Sequence, residues 1–122
     1  MVLSQLTPDR VFLVVEDEAG EVAGFAYGGP AREAAQGRSG ELYAMYLLKR
    51  CHGLGIGRAL FEAFSQRLEA VGIGDFYASV LKGNRSRGFY VKMGGRFCGF
   101  GEGAIPGRRG GRRLAEERFE WL

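Results

Sequence analysis

Three glycines, Gly53, Gly55 and Gly57, fall within five residues directly before an amphipathic stretch. Glycine lets the backbone approach a ligand closely and adopt positive φ angles. The free N–H groups at a helix start point at an anion, and the helix dipole favours negative charge there. Arg58 follows and offers a cation that suits phosphate. The segment predicts a phosphate-binding loop, and the alternative is a simple tight turn in a chain with 21 glycines.

Two common phosphate-binding loops do not fit these residues. A P-loop reads GxxxxGK[ST], whereas Arg58 and Ala59 stand where lysine and a hydroxyl residue would be. A dinucleotide-binding fold requires GxGxxG and an acidic residue about 20 positions later, at the end of a second strand. Here the spacing is GxGxG, and the nearby Asp75 precedes a strand. A nicotinamide site is therefore not expected.

The sequence from Glu41 to Phe97 resembles the GCN5-related N-acetyltransferase superfamily. The family pattern Q/R-x-x-G-x-G/A is followed from His52, in the register that best aligns the helix, and also from Arg50. Asn84 and the segment FYVKMG, residues 89–94, resemble the family's downstream asparagine and FYxKxGF-like segment. The loop and the downstream segment together make the resemblance specific. It implies an α/β fold with a mixed sheet, the acyl-CoA N-acyltransferase fold, and acetyl-CoA as cosubstrate.

The resemblance also implies how the cofactor would be held. Backbone amides of the glycine loop would wrap the pyrophosphate, and the end of the preceding strand would pair with the pantetheine arm as an added strand does. Asn84 would contact the cofactor or cap the following short helix. The implied cofactor-binding residues are Met45, Tyr46, Leu47, His52, Gly53, Leu54, Gly55, Ile56, Gly57, Arg58 and Asn84.

By the same resemblance, Tyr90 is the general acid. A phenol with a pKa near 10 can donate a proton to a departing thiolate while it stays protonated at pH 7. The alternative is a core tyrosine whose hydroxyl reaches a backbone carbonyl. Its neighbour Phe89 should pack inward.

The general base is harder to assign. Ser79 stands at about the position where some family members carry a glutamate, which leaves Glu41 as the best replacement. Strand alternation predicts Glu41 on the same face as Tyr43 and Met45. The alternative is an exposed carboxylate at a strand edge. Glu102 and Glu116 are more remote candidates that are expected to bind the acceptor or face solvent.

The elements that must position these residues follow from periodicity. Residues 1–10 could be the end of a helix, and β-rich runs then predict strands at 11–15, 21–27, 41–48, 76–81, 96–105 and 113–121. Helices are predicted at 57–70 and from Asn84 or Ser86 to Lys92. The first buries one face through Leu60, Phe61, Phe64, Leu68 and Val71. The resemblance implies that the family's first strand and first two helices, which wall its acceptor pocket, are missing.

Composition sets the remaining limits. The 122 residues suggest one domain, 1–122, and neither a secretory signal nor a membrane-length apolar run is visible. Cys51 and Cys98 with a single histidine provide no disulfide framework and no standard zinc site, so a cytoplasmic protein without metal is expected. The net charge of +3 owes much to a turn with Arg108, Arg109, Arg112 and Arg113.

These observations favour an N-acetyltransferase that transfers acetyl from acetyl-CoA to a primary amine directly, in a ternary complex. The first alternative is a shortened module that binds CoA with little catalysis, and the second is nucleic-acid binding through the arginine turn, which is more often a solvated loop. A homodimer is expected because one flank of the sheet lacks its usual cover and the chain ends in Phe119, Trp121 and Leu122.

Overall fold

A computed structural model describes residues 2–5, 10–32, 39–81, 86–104 and 113–122. The described residues form seven strands, two α-helices and a short 3₁₀ turn at Lys49–Cys51. In chain order the elements are β1 Val2–Gln5, β2 Val11–Glu16, β3 Val22–Pro30, β4 Gly40–Leu47, α1 Ile56–Ala70, β5 Phe76–Leu81, α2 Ser86–Lys92, β6 Arg96–Ala104 and β7 Arg113–Trp121.

The strands make one mixed sheet in the order β1-β2-β3-β4-β5-β7-β6. All neighbours are antiparallel except β4 and β5, which are joined by the α1 crossover and run parallel. That parallel pairing covers only three positions and ends at Leu42 and Ala78. Since both strands continue beyond it, a gap opens between their carboxyl ends. The predicted mixed α/β fold is confirmed.

Helix α1 forms and packs as its periodicity predicts. Leu60, Phe61, Phe64 and Leu68 are buried against the sheet. Val71 was expected on the same face, but it is 50% exposed because it caps the helix end, where the chain leaves the helical path. Gly72 then takes φ +89°, and the amide of Ile73 donates to the carbonyl of Leu68, a Schellman ending.

Both helices lie on one face of the sheet, where their aromatic side chains meet. Phe61 of α1 contacts Phe89 of α2 at 6.2 Å between ring centroids and Trp121 of β7 at 5.0 Å. The Trp121 indole N–H donates to the carbonyl of Met93 at 3.1 Å, which ties the end of α2 to the sheet. Phe119 is fully buried and Trp121 is partly buried, so the expected apolar patch at the C-terminal strand is wrong except for exposed Leu122.

The N-terminal segment is a strand and not a helix end. Val2–Gln5 pairs antiparallel with β2, with Val2 opposite Glu16 and Gln5 opposite Leu13. The side chains of this segment did not indicate a strand, because the pairing is made by main-chain groups with the open edge of β2. A short strand therefore precedes β2, and the expectation that the family's first strand and first two helices are missing stays a prediction. Only five residues, 6–10, separate β1 from β2, fewer than two helices require.

The packing predicts a clear contrast between a buried position of α1 and the residue that caps its C-terminal end. Phe64 is fully buried with its ring 5.5 Å from Phe76, so Phe64→Ala should lower the free energy of unfolding by roughly 3–5 kcal/mol. Val71→Ala, at the exposed helix end, should change it by no more than about 0.5 kcal/mol. Urea unfolding followed by circular dichroism measures both, and equal effects would contradict the described packing.

Candidate functional site

The glycine loop is a turn that only glycine accommodates well. Gly53 and Gly55 take φ of +77° and +78°, in the left-handed region, and a Cβ at either would meet no atom within 4 Å. Glycine is therefore needed for backbone conformation, and the space beside the loop is open. Gly55 is the N-cap of α1 without a side-chain cap, and the first turn contains no acidic residue. The amides that begin α1 are not neutralised by a side chain, which leaves a setting that favours an anion.

Two further contacts fix the loop relative to its neighbours. His52 Nε2 lies 2.9 Å from the carbonyl oxygen of Leu47, which holds the loop against the end of β4. A Cβ on Gly57 would come within 3.1 Å of the Phe89 ring. Gly57 therefore serves close packing of α2 against α1, a different role from that of Gly53 and Gly55.

A cleft of about 1010 Å³ opens where β4 and β5 diverge, between the end of β4, the glycine loop and α2. It is lined by Met45, Tyr46, Leu47, Lys49, His52, Gly53, Gly55, Gly57, Arg58, Ser86, Gly88, Phe89, Tyr90, Val91, Lys92 and Met93. Most of the cofactor residues implied by the resemblance thus share one cavity with Tyr90. Leu54 and Ile56 do not line it; Leu54 is 68% exposed, and Ile56 packs on the core.

The charged side chains that line the cleft are all basic. They are Lys49, Arg58 and Lys92, and no described carboxylate shares the lining with them. Arg58 also makes an i,i+4 ion pair with Glu62, at 3.8 Å between exposed side chains. Sequence reasoning missed Lys49 and Lys92, although Lys92 belongs to the FYVKMG segment. Both could have been proposed as phosphate-binding residues, because they are cations near a predicted phosphate-binding loop. The electrostatics of the cleft suit a polyanionic ligand.

Tyr90 lies on α2, where it is mostly buried in the core and also lines the cleft. The ring meets Trp121 edge-on at 5.7 Å, and burial raises the pKa of the phenol to about 12. Within the described residues the hydroxyl has no hydrogen-bond partner, yet the oxygen keeps some accessible surface. The alternative interpretation of Tyr90 is a core tyrosine whose hydroxyl donates to a backbone carbonyl. No such hydrogen bond is found among the described residues. Phe89 packs inward as expected.

Glu41 is not part of this cleft lining, and it is not an exposed edge residue. The carboxylate is buried and accepts hydrogen bonds from Arg32 at 2.8 Å (Nη2), 3.2 Å (Nε) and 2.9 Å (backbone N). Burial raises the pKa of the Glu41 carboxyl, but the hydrogen bonds from Arg32 and Tyr77 outweigh it, so the pKa lies below its ordinary value. In this arrangement Glu41 is an ion-pair partner and a weak base.

A β-bulge changes which residues share a face of β4. The register of β3 and β4 shifts between Tyr27 and Gly28, opposite Ala44 and Leu42. Beyond the bulge Met45 packs against the core, whereas Tyr43 contacts Tyr27 and the Arg32 guanidinium, the partner of Glu41. The prediction that Glu41, Tyr43 and Met45 share a face is therefore wrong for Met45. Simple alternation fails because the bulge inserts one residue.

Several predicted positions stand apart from the cleft. Asn84 and the turn residues Arg108, Arg109 and Arg112 lie outside the described residues, and Arg113 is described only as the start of β7. Glu102 is described only as part of β6, and Glu116 is half-buried on β7 opposite Leu81. Among the described residues, no group of three or more His, Cys, Asp or Glu side chains could hold a metal ion. Neither described helix is long and apolar enough to cross a membrane.

Several solved structures that share this arrangement of strands and helices are acetyltransferases by name. Nourseothricin acetyltransferase superposes with a TM-score of 0.74 at 22% identity, covering 93% of this chain and 65% of that chain. Ribosomal-protein-alanine N-acetyltransferase from Brucella melitensis gives 0.70 at 27% identity, over 93% of this chain and 68% of that one. A phosphinothricin acetyltransferase from Sinorhizobium meliloti, solved in complex with acetyl-CoA, gives 0.67 at 25% identity, over 92% and 60%.

Sequence comparison leads to the same group. The curated protein "Uncharacterized N-acetyltransferase YuaI" of Bacillus subtilis (strain 168) is 42% identical over 77 residues, which are 63% of this chain and 44% of that protein. The chain thus spans less than half of this relative and about 65% of the nourseothricin enzyme. Residues 3–95 match the model of the acetyltransferase (GNAT) family and include β2–β5, the glycine loop and Tyr90. The chain therefore belongs to the GNAT acetyltransferase family.

Proposed function

We propose that residues 1–122 form a single acetyltransferase domain that moves the acetyl group of acetyl-CoA to a primary amine by direct transfer in a ternary complex. The observation that carries the proposal is the cleft itself. It joins an open helix start, two left-handed glycines, three basic side chains and Tyr90 in one cavity beside the end of β4 that lies beyond its pairing with β5. The phosphinothricin acetyltransferase with acetyl-CoA, at 25% identity, supports this choice of cosubstrate.

In this proposal the pyrophosphate lies against the amides from Gly53 to Arg58, where helix dipole and cations favour it. Lys49, Arg58 and Lys92 supply the positive charge around it. The pantetheine arm runs along residues 45–47, whose main chain has no partner in β5 because the strands have separated. Asn84 is retained as a proposed cofactor contact, and Leu54 and Ile56 contribute through their backbone amides.

Tyr90 is the proposed general acid. When the amine attacks the thioester carbonyl and the carbon–sulfur bond breaks, the electron pair leaves on the sulfur, and the phenol donates a proton to it. Because no described residue is hydrogen-bonded to the Tyr90 hydroxyl, this proton donor is available for the proposed step. Because burial raises its pKa to about 12, the phenol stays protonated at neutral pH. The environment that disfavours the phenolate thus keeps the donor in its active form.

Glu41 is the proposed base that takes a proton from the acceptor ammonium, directly or through a water molecule. It can do so only after Arg32 moves away, since the ion pair lowers its pKa. The Arg32 side chain is 63% exposed and contributes most of these bonds from the surface. An acceptor ammonium that displaced Arg32 would place a new cation beside the Glu41 carboxylate. The same ammonium would carry the proton that the carboxylate removes.

The competing function is a module that binds CoA with little catalysis, and the ion pair that occupies the Glu41 carboxylate is the observation that favours it. The two functions differ in turnover and not in cofactor binding. The acceptor is proposed only as a primary amine, with no nucleic acid as partner. The protein is proposed to be a cytoplasmic homodimer.

Cofactor binding should depend on the charge at position 55. Gly55→Glu places a carboxylate at the helix start and should weaken acetyl-CoA binding by at least roughly tenfold, or about 1.4 kcal/mol. Gly55→Gln imposes the same backbone strain at φ +78° without the charge, so it should retain more affinity. Calorimetric titration of the folded variants decides. Equal affinity for all three proteins would remove the site assignment.

Tyr90→Phe should act on turnover. If the phenol is the acid, kcat falls by about 10²–10⁴-fold while acetyl-CoA affinity and melting temperature hardly change, because the hydroxyl makes no hydrogen bond in the described structure. Tyr27→Phe removes a hydroxyl that bonds Arg10, away from the cleft, and should leave kcat unchanged. Near-normal kcat in Tyr90→Phe would favour the module without efficient catalysis.

The Arg32 ion pair predicts a pH effect with a definite sign. Arg32→Gln removes the charge and the side-chain hydrogen bonds that lower the pKa of Glu41, so that pKa should rise, because burial still disfavours the carboxylate. A base must be deprotonated, so the acidic limb of kcat/KM should move to higher pH. Arg96→Gln, which breaks the corresponding pair with buried Glu120, is the matched control and should leave the limb in place. An unmoved limb in Arg32→Gln would exclude Glu41 as the base.

A further inference from the structure

The turn between β2 and β3 is built around one carboxylate. Asp17 Oδ1 accepts hydrogen bonds from the backbone N–H groups of Ala19 and Glu21, both at 2.9 Å. The backbone N–H of Asp17 donates to the carbonyl of Glu21 at 2.8 Å, and the N–H of Gly20 donates to the carbonyl of Asp17 at 3.0 Å. Aspartate side chains stabilise turns in this way. Because these bonds occupy Oδ1 and fix the side chain, Oδ2 is left to contact a neighbouring segment.

That neighbouring segment is the one that leads into the glycine loop. Asp17 Oδ2 accepts a hydrogen bond from Arg50 Nη2 at 2.8 Å, and the Asp17 side chain is only 18% exposed. The bond from Arg50 and the bonds from the turn hold the pKa of the Asp17 carboxyl below its ordinary value, so the carboxylate is charged at neutral pH. In an ordinary surface ion pair both side chains lose freedom when they meet. Here the turn has already fixed the acid, so less side-chain entropy is lost.

A short path of contacts connects Arg50 to the glycine loop. Arg50 is the middle residue of the 3₁₀ turn Lys49–Cys51. The N–H of His52 closes this turn on the carbonyl of its first residue at 3.0 Å, and Gly53 follows directly. Open space surrounds the points where Cβ atoms of Gly53 and Gly55 would lie, so packing does not fix the loop there. The orientation of the loop amides is therefore set from the two ends of the loop, which are the 3₁₀ turn and helix α1.

We propose that Asp17 is a positioning residue for the glycine loop: through Arg50 it fixes the 3₁₀ turn, and so the orientation in which the loop amides meet the pyrophosphate of acetyl-CoA. Neither side chain is among the residues that line the cleft, so the pair acts without touching the cofactor. A loop that is ordered before binding loses less entropy when the ligand arrives. The inference rests on the proposed cofactor site at residues 53–58.

Charge and positioning predict opposite effects of one substitution. Asp17→Asn keeps an oxygen for the two turn amides but loses the ion pair with Arg50. Removal of a negative charge would by itself favour a polyanionic ligand. If Asp17 positions the loop, Asp17→Asn should instead weaken acetyl-CoA binding about three- to tenfold, which the loss of one charge-assisted hydrogen bond can supply. Glu18→Gln is the matched control, because it removes the same charge from an exposed residue of the same turn, and it should leave the affinity unchanged or slightly higher.

The measurements are calorimetric titration with acetyl-CoA and amide chemical shifts of the full chain. In ligand-free protein the shifts of Gly53 and Gly55 should change in Asp17→Asn and stay in place in Glu18→Gln. Acetylpantetheine lacks the pyrophosphate, so its affinity, measured by chemical-shift titration, should be the same in Asp17→Asn and wild type. A general loss of structure would weaken both ligands. Melting temperatures identify a variant that does not fold, and Asp17→Ser then replaces Asp17→Asn, because a hydroxyl also accepts turn hydrogen bonds.

A double-mutant cycle tests whether the effect acts through Arg50. Arg50→Gln should weaken acetyl-CoA binding by a similar factor, and Asp17→Asn should then weaken it little further, because the pair is already broken. Losses that multiply in the double variant, or undiminished affinity in Asp17→Asn, would overturn the inference and leave the site standing if Gly55→Glu still weakens binding. If neither Gly55→Glu nor Asp17→Asn changes the affinity, the site assignment and the inference fail together.

Discussion

The site depends on the early separation of two parallel strands. β4 and β5 share only three paired positions and then diverge, although both strands continue. A longer ladder would satisfy the main chain of residues 43–47 within the sheet and close the cleft. The separation leaves that main chain without a β5 partner, and it places the end of β4, the glycine loop and α2 around one cavity.

Packing on the face of the sheet that carries the helices then fixes α1 and α2 beside the cleft. Gly57 lets the Phe89 ring approach α1, and the Trp121 indole holds the end of α2 through the carbonyl of Met93. Tyr90 is carried to the cleft by the same short helix, with its ring in the core. Its position is therefore set by apolar contacts, while its hydroxyl has no hydrogen-bond partner among the residues that the structure describes.

Local rules predicted the parts of this structure that depend on neighbouring residues in sequence. The burial of Leu60, Phe61, Phe64 and Leu68 follows from helical periodicity, and the positive φ angles of Gly53 and Gly55 follow from the chemistry of glycine. Features that depend on contacts between distant segments were missed. The bulge that turns Met45 to the core depends on β3, the strand at Val2–Gln5 depends on β2, and the lowered pKa of Glu41 depends on Arg32. The burial of Phe119 under α2 is of the same kind.

The central claim is that a CoA thioester binds at the gap between β4 and β5. Titration of isotopically labelled protein with acetyl-CoA, followed by amide chemical shifts, tests it most directly. The account predicts saturable shifts that are largest for residues 53–58 and the end of β4, smaller along α2, and negligible at Val22 and in the middle of β2. Absence of saturable shifts, or shifts centred away from the glycine loop, would contradict it.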